Sequence, residues 1–189
     1  MTLNPDIDWN RVIWSGSRYI DVQAPKPEDM LLEEIAVGLA RENRYGGNAT
    51  SVPWSVLQHS LLCHEYARDD GIDQGQVLLT LLLHDAPEYI LRDILSPVKR
   101  HLPDYKRLES IWWKAVATRF NLPLRLPYVI KRYDVLAASS EKAALISAAA
   151  GPWPGLCEPR NLPDWILNLS EVRQVETFQA EVRRLLAQN

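Results

Sequence analysis

Cysteine is nearly absent: Cys63 and Cys157 are the only two in 189 residues. Two thiols cannot build a disulfide framework or a four-cysteine zinc site, so reduced thiols are the simpler expectation. A basic excess is missing too. The formal charge of -3 argues against a general nucleic-acid-binding surface, which would be rich in lysine and arginine. Long apolar runs are also lacking. The strongest, Val77 to Leu83, is interrupted by Thr80 and far too short to span a bilayer. The segment from Met1 to Asn10 lacks the basic-then-apolar order of a signal peptide. No internal repeat or low-complexity linker divides the chain. Together these absences predict a soluble, cytoplasmic single domain with no nucleic-acid partner and no membrane partner.

What is present suits an all-α helical bundle behind an irregular N-terminal arm. The arm is expected over residues 1–27, a helical core over 28–150, and an irregular tail with a C-terminal helix over 151–189. Val12-Ile13-Trp14 and Arg18 to Val22 flank Ser15-Gly16-Ser17 and could pair as a short β-hairpin. Glu28 and Asp29 place negative charge on a new helix N-terminus, and Met30, Leu31, Ile35, Ala36 and Leu39 follow at helical spacing, fading near Asn43. Gly46-Gly47 is a loop. Further helices are expected over about 53–68, from about 73 to the Pro87 break, from Ser96-Pro97, over about 103–120 and over about 127–148. Ser96 is expected as the cap of its helix, with proline as the first residue. Gly151 to Asp164 is proline-rich. Ser170 caps a final helix with Val172, Val175, Phe178, Val182 and Leu185 on one side.

Chemistry concentrates at His84-Asp85, which ends the most apolar helix of the chain. Buried unpaired, neutral polar groups cost roughly 2–7 kcal/mol, so the pair is either at a surface helix end, satisfied in the core, or employed. Glu88 lies four residues after His84 and, on a helical turn, shares its side. His59 sits mid-helix between packing residues, and Asp134 stands inside another apolar pattern. A divalent metal would explain all of them together. Two neutral imidazoles and two carboxylates suit Mn, Fe, Co, Ni or Zn better than Mg or Ca.

In this arrangement the sequence resembles the HD-domain phosphohydrolases, named for His…His-Asp…Asp metal ligands. The resemblance is carried by Gln58-His59-Ser60, His84-Asp85-Ala86-Pro87-Glu88, and Asp134 followed by Leu136 and small residues. It is nearest to the bacterial 5′-deoxynucleotidase (YfbR-type) branch, in which an Asn-Arg-aromatic triplet precedes the first histidine. Here Asn43-Arg44-Tyr45 stands with its arginine fifteen residues before His59, and Asp93 and Ser96-Pro97-Val98-Lys99 follow the His-Asp pair. The resemblance spans about Ile35 to Leu145. It implies His59, His84, Asp85 and Asp134 as metal ligands. Arg44 would hold the substrate phosphate. Glu88 would orient or deprotonate the attacking water, Asp93 would contact the sugar or assist proton transfer, and Tyr45 and Lys99 would join the substrate site. The family aromatic after the arginine is tryptophan in the best-known enzyme and tyrosine here.

Glu88 and Arg44 also make sense on chemistry alone. A guanidinium can bind two oxygens of a phosphate dianion, and a carboxylate beside the metal can take a proton. Two-metal members of the family this chain resembles carry further histidines between the His-Asp pair and the last aspartate; here only His101 lies in that interval, so the resemblance implies one metal. His64 reads as a surface or packing residue, His101 as part of a solvated charge cluster, and Cys63 as a small buried hydrophobe. Cys157 has no nearby base, and Trp54 could line the pocket.

The leading expectation is hydrolysis of a nucleoside 5′-monophosphate, with a small-molecule phosphate as partner. The alternatives are a one-metal reaction on an alarmone or a nucleoside triphosphate, or a non-catalytic nucleotide-binding module. Related enzymes are often dimers, so the resemblance admits a homodimer.

Overall fold

The computed structural model describes residues 7–188, so the expected N-terminal arm begins outside the described residues. Strands β1 (Val12–Ser15) and β2 (Arg18–Asp21) form the expected antiparallel hairpin, with Ile13 opposite Ile20. Ile20 is the strand residue that enters the core, a burial of about 1.5–3 kcal/mol for one such side chain. Arg18 reaches Glu34 at 2.8 Å, and the Trp112 indole N–H donates to the Val22 carbonyl at 2.9 Å. The hairpin is thus pinned to the bundle by apolar packing of Ile20, with Ile13 and Val22 beside it, and by polar links that also include Ser15 to Glu34 and Arg18 to the Asp29 carbonyl. Everything after it is helical or irregular.

Helix α1 (Leu32–Arg41) buries Leu32, Ile35, Ala36 and Leu39. It starts later than expected, because a 3-10 turn over Pro27–Asp29 intervenes and leaves Met30 buried before the helix. Helix α2 (Val56–Asp69) is the central element and packs on α1 and on the three helices α3 (Gly75–Leu83), α7 (Tyr128–Leu145) and α9 (Glu171–Leu186). Between these lie α4 (Glu88–Leu91), α5 (Ser96–Lys99), α6 (Pro103–Arg119) and α8 (Asp164–Leu167). No helix among the described residues is long and apolar enough to cross a membrane.

The start of α2 fixes where His59 points. Ser55 Oγ accepts the Gln58 N–H at 3.0 Å, and Gln58 Oε1 accepts the Ser55 N–H at 3.1 Å. This reciprocal cap, worth about 1 kcal/mol, sets the helix phase one residue before the histidine. Its outer atoms tie in the C-terminal elements: Ser55 donates to Gln174 Oε1 at 2.7 Å, and Gln58 Nε2 donates to the Ile166 carbonyl at 2.9 Å. The first bond also explains a correction. Val172 was expected on the apolar side of α9 but is exposed, while Gln174 is buried beside Phe178, Val182 and Leu185. The Gln174 amide is satisfied by Ser55 and by the Leu169 carbonyl, so an amide occupies the core stripe without loss.

A second correction concerns α5. Ser96 is the first helical residue and Leu95 occupies the cap position, with no side-chain cap bond. The break before Pro87 comes earlier than expected. Helix α3 ends at Leu83, and a tight turn with i→i+3 bonds from Ala86 to Leu83 and from Glu88 to Asp85 leads into α4. Helix α4 is held against α1 where Gly38 faces Tyr89, so closely that a β-carbon on Gly38 would lie 2.8 Å from that of Tyr89.

Candidate metal centre

The turn between α3 and α4 carries His84, Asp85 and Glu88 into the same region as His59 of α2 and Asp134 of α7. His84 Nε2 lies 3.3 Å from Asp85 Oδ2, and His59 Nε2 lies 3.7 Å from the same oxygen and 3.4 Å from Asp134 Oδ1. Donor atoms bound about 2.0–2.2 Å from one ion sit about 3.0–3.5 Å apart at octahedral or tetrahedral angles. The four residues expected as ligands are therefore brought together at nearly ligand spacing.

The tautomers agree with that use. His84 Nδ1 is 2.8 Å from the Leu81 carbonyl, which can only accept, so Nδ1 carries the hydrogen and Nε2 keeps its lone pair. That Nε2 is buried and has no hydrogen-bond partner. His59 Nδ1 is 2.6 Å from Glu141 Oε1, an outer carboxylate of the kind that orients ligating histidines. A buried imidazole lone pair facing carboxylates, with nothing to donate to it, fits a cation. The thiol of Cys63, buried at 3.5 Å from His59 Nε2, completes a His59, Cys63, His84 cluster whose donor atoms all lie within 4.8 Å of one another and which could hold a metal ion.

Glu141 was not anticipated, and it organises the site. Fully buried on α7, it accepts from Arg44 Nε at 3.1 Å and from the Tyr45 hydroxyl at 2.5 Å as well as meeting His59. Burial opposes its charge, but Arg44, His59 and the Tyr45 bond together hold its carboxyl well below the usual range. One signal was available. Glu141 follows Asp134 by seven residues, two helical turns, so both carboxylates share one face of α7. Arg44 also places Nη1 3.7 Å from Asp85 and is mostly buried. Its neighbour Tyr45 has φ 58, a left-handed conformation rare for a side-chain-bearing residue. Trp153 from the proline-rich tail packs on the Tyr45 ring, centroids 5.9 Å apart.

Electrostatics around the centre is predominantly acidic. Burial and Arg44 oppose protonation of His59, yet Cys63, Glu141 and Asp134 outweigh them and raise its pKa well above the ordinary value. Burial likewise opposes charge on Asp134, but His59, His84 and Lys131 hold its carboxyl well below the usual range. Glu88 goes the other way: burial first, then the charges of Asp85 and Asp93, push it well above the carboxylate range. A cation is what such surroundings stabilise.

A cleft of about 250 Å³ opens onto the centre, lined by His84, Asp85 and Glu88 with Glu109, Trp113 and Leu126. Lys99 stands beside it, 2.7 Å from Glu109 and 3.8 Å from Glu88. Asp93 is partly buried and its N–H donates to Glu42 at 3.0 Å. A larger groove of about 720 Å³, lined in part by Asn43, Gln58 and Gln174, contains none of the expected site residues. Trp54 does not line the cleft. Its side chain is fully buried, and its carbonyl accepts the Arg44 N–H at 2.9 Å. His64 is buried against Glu181 at 3.2 Å and His101 is exposed, both away from the centre.

The described residues thus make a mostly helical protein with a buried imidazole, thiol and carboxylate centre. No family model matches the chain. An uncharacterized protein of Rhodobacter capsulatus is 43% identical over 141 residues, covering 72% of this chain and 70% of that protein. The uncharacterized protein YfdR of Escherichia coli is 30% identical over 129 residues, covering 68% of each. The chain belongs to the family of these two proteins.

Proposed function

We propose that the chain is a metal-dependent phosphohydrolase of the HD-domain type, hydrolysing nucleoside 5′-monophosphates to nucleoside and phosphate. One observation carries the reading: two imidazole Nε2 atoms, held by bonds at their Nδ1 atoms, face Asp85 and Asp134, with a guanidinium 3.7 Å from Asp85. His59, His84, Asp85 and Asp134 would hold one divalent ion, of Mn, Co, Ni, Fe or Zn. Such an ion supplies Lewis acidity and makes water a better nucleophile at neutral pH.

The chain's own groups divide the remaining work. Arg44 already stands on the Asp85 side of the centre and can pair with phosphate oxygens. Glu88 keeps its second oxygen buried and unpartnered beside the centre, and burial with the charges of Asp85 and Asp93 raises its pKa, which makes its carboxylate a stronger acceptor for a proton from water. Water oxygen bonds to phosphorus, the bond from phosphorus to the sugar oxygen breaks, and that oxygen takes a proton. Asp93 and Lys99 flank Glu88 and would meet the sugar and the leaving side. Tyr45, with Trp153 behind it, offers an aromatic surface beside Arg44 for the nucleoside. The test is phosphate release from a nucleotide panel with Mn, Co or Ni added. Turnover of monophosphates is expected, and a metal-loaded protein inert toward all of them refutes the reading. Release of pyrophosphate or intact triphosphate would favour the alarmone or triphosphate alternatives.

A further inference from the structure

We propose that Cys63 is a metal ligand, so that the centre is a mixed nitrogen, oxygen and sulfur site selective for zinc-like ions over manganese. The inference rests on the metal-centre reading above and adds to it a donor that the four-residue set does not contain.

Cys63 lies four residues after His59 on α2, which by itself brings two side chains to one helix face. That spacing alone would be unremarkable packing. Three observations go further. Sγ is 3.5 Å from His59 Nε2, the nitrogen left free by the Glu141 contact, rather than from the ring edge facing Glu141. Nitrogen at about 2.0–2.1 Å and sulfur at about 2.3 Å from one zinc ion stand about 3.5 Å apart at the tetrahedral angle. His84, from the α3–α4 turn, aims a buried and unpartnered Nε2 into the same volume, and the three donor atoms lie within 4.8 Å of one another. Finally, the thiol has only a weak alternative, a 3.7 Å contact to the Tyr133 carbonyl. Nothing in its surroundings competes strongly for the sulfur.

A thiolate alters what the site prefers. Imidazole and carboxylate ligands tolerate the whole first-row series, whereas a soft sulfur donor favours Zn and Co over the hard Mn. It adds one negative charge, which Arg44 beside Asp85 is placed to offset. Binding releases the thiol proton to solvent and leaves sulfur oxidation state unchanged.

The experiment is cobalt substitution read by absorption, with zinc and manganese affinities measured alongside. The wild-type cobalt complex, at one ion per chain, should show a near-ultraviolet thiolate-to-cobalt charge-transfer band. Cys157→Ser should keep it. Cys63→Ala and Cys63→Ser, checked for native circular dichroism, should lose it. Their zinc affinity should fall about a hundredfold or more, above the loss typical of an outer-shell partner, with manganese affinity little changed. A wild-type cobalt complex without the band overturns the proposal and leaves the four-ligand centre standing. Equal zinc-to-manganese selectivity in wild type and Cys63→Ala also overturns it. Failure of the wild type to bind any cobalt removes both this proposal and the phosphohydrolase reading. Where the variants do not fold, the wild-type band decides.

Discussion

Replacing Glu141 by glutamine should destabilise this protein more than any other single carboxylate-to-amide change at an ion pair. The change is nearly isosteric, so it removes charge without opening a cavity. It removes the nearest buried charge from Arg44, whose side chain is 11% exposed, and from His59, which is wholly buried, leaving them only the longer contacts to Asp85 and Asp134 at 3.4–3.7 Å. Removing one partner of a buried pair costs about 3–5 kcal/mol. At about 2–4 °C per kcal/mol for a chain of this size, melting should drop by roughly 6–20 °C. The matched control is Glu171→Gln, which breaks the exposed pair with Arg41 at 2.7 Å and should cost about 0–1 kcal/mol. A pH series adds a second readout. Because the folded Glu141 carboxyl titrates below its ordinary 4.5, its stabilisation is complete above that value and fades as the pH falls toward the folded one. Glu141→Gln should flatten this acid limb. Urea unfolding of the metal-free protein measures both. A cost within about 1 kcal/mol of the Glu171→Gln control, or an unchanged acid limb, would refute the assignment of Glu141 as the site's organiser.

Three further outcomes follow from the same geometry. Glu88→Ala should retain metal and native circular dichroism but lose turnover, and an unchanged rate would sink its assigned role. Gly38→Ala forces a methyl group to within 2.8 Å of the Tyr89 β-carbon and should cost about 1–3 kcal/mol by overpacking; equal or greater stability in a urea melt would show that α1 and α4 can part freely. His64 is pushed down by burial to about 4 from 6.5, so the neutral form is favoured in the fold. Stability should therefore be lost as the pH falls from 6.5 through about 4, by up to about 3 kcal/mol. His64→Gln should remove that slope, and an imidazole proton titrating near 6.5 by NMR would contradict it.

The parts of the fold that could be read in advance are those with local causes. The hairpin is marked by alternation around Gly16, and α9 by a serine cap whose bond spans three residues; the Ser55 cap of α2 was missed, and that helix, expected from about residue 53, starts at Val56. Misreadings occur where a distant atom decides. Ser96, by contrast, was misplaced by one residue: it is the first helical residue, and Leu95 occupies the cap position with no side-chain cap bond. Val172 fitted the apolar stripe of α9, but Ser55, 119 residues from Gln174, makes the amide the better inward residue. The inward place of Gln174 is not encoded within one helical turn.

The candidate centre divides in the same way. His59, His84, Asp85 and Asp134 stood out because each is a polar residue where its own helix calls for a hydrophobe, and burial of unpaired polarity is costly enough to demand a reason. Glu141 and Cys63 raised no such alarm. Glu141 sits in a run of alanine and serine that would be unobjectionable at a surface, and its partners Arg44 and His59 lie 97 and 82 residues away. Cys63 passes for a hydrophobe because a thiol is at home in a core. What separates a packing cysteine from a ligand is the direction of a lone pair on another element, here the unpartnered Nε2 of His84. Residues of mixed character are therefore the ones that sequence reasoning underrates, and the geometry that gives them a role arises only when α2, α7 and the α3–α4 turn meet.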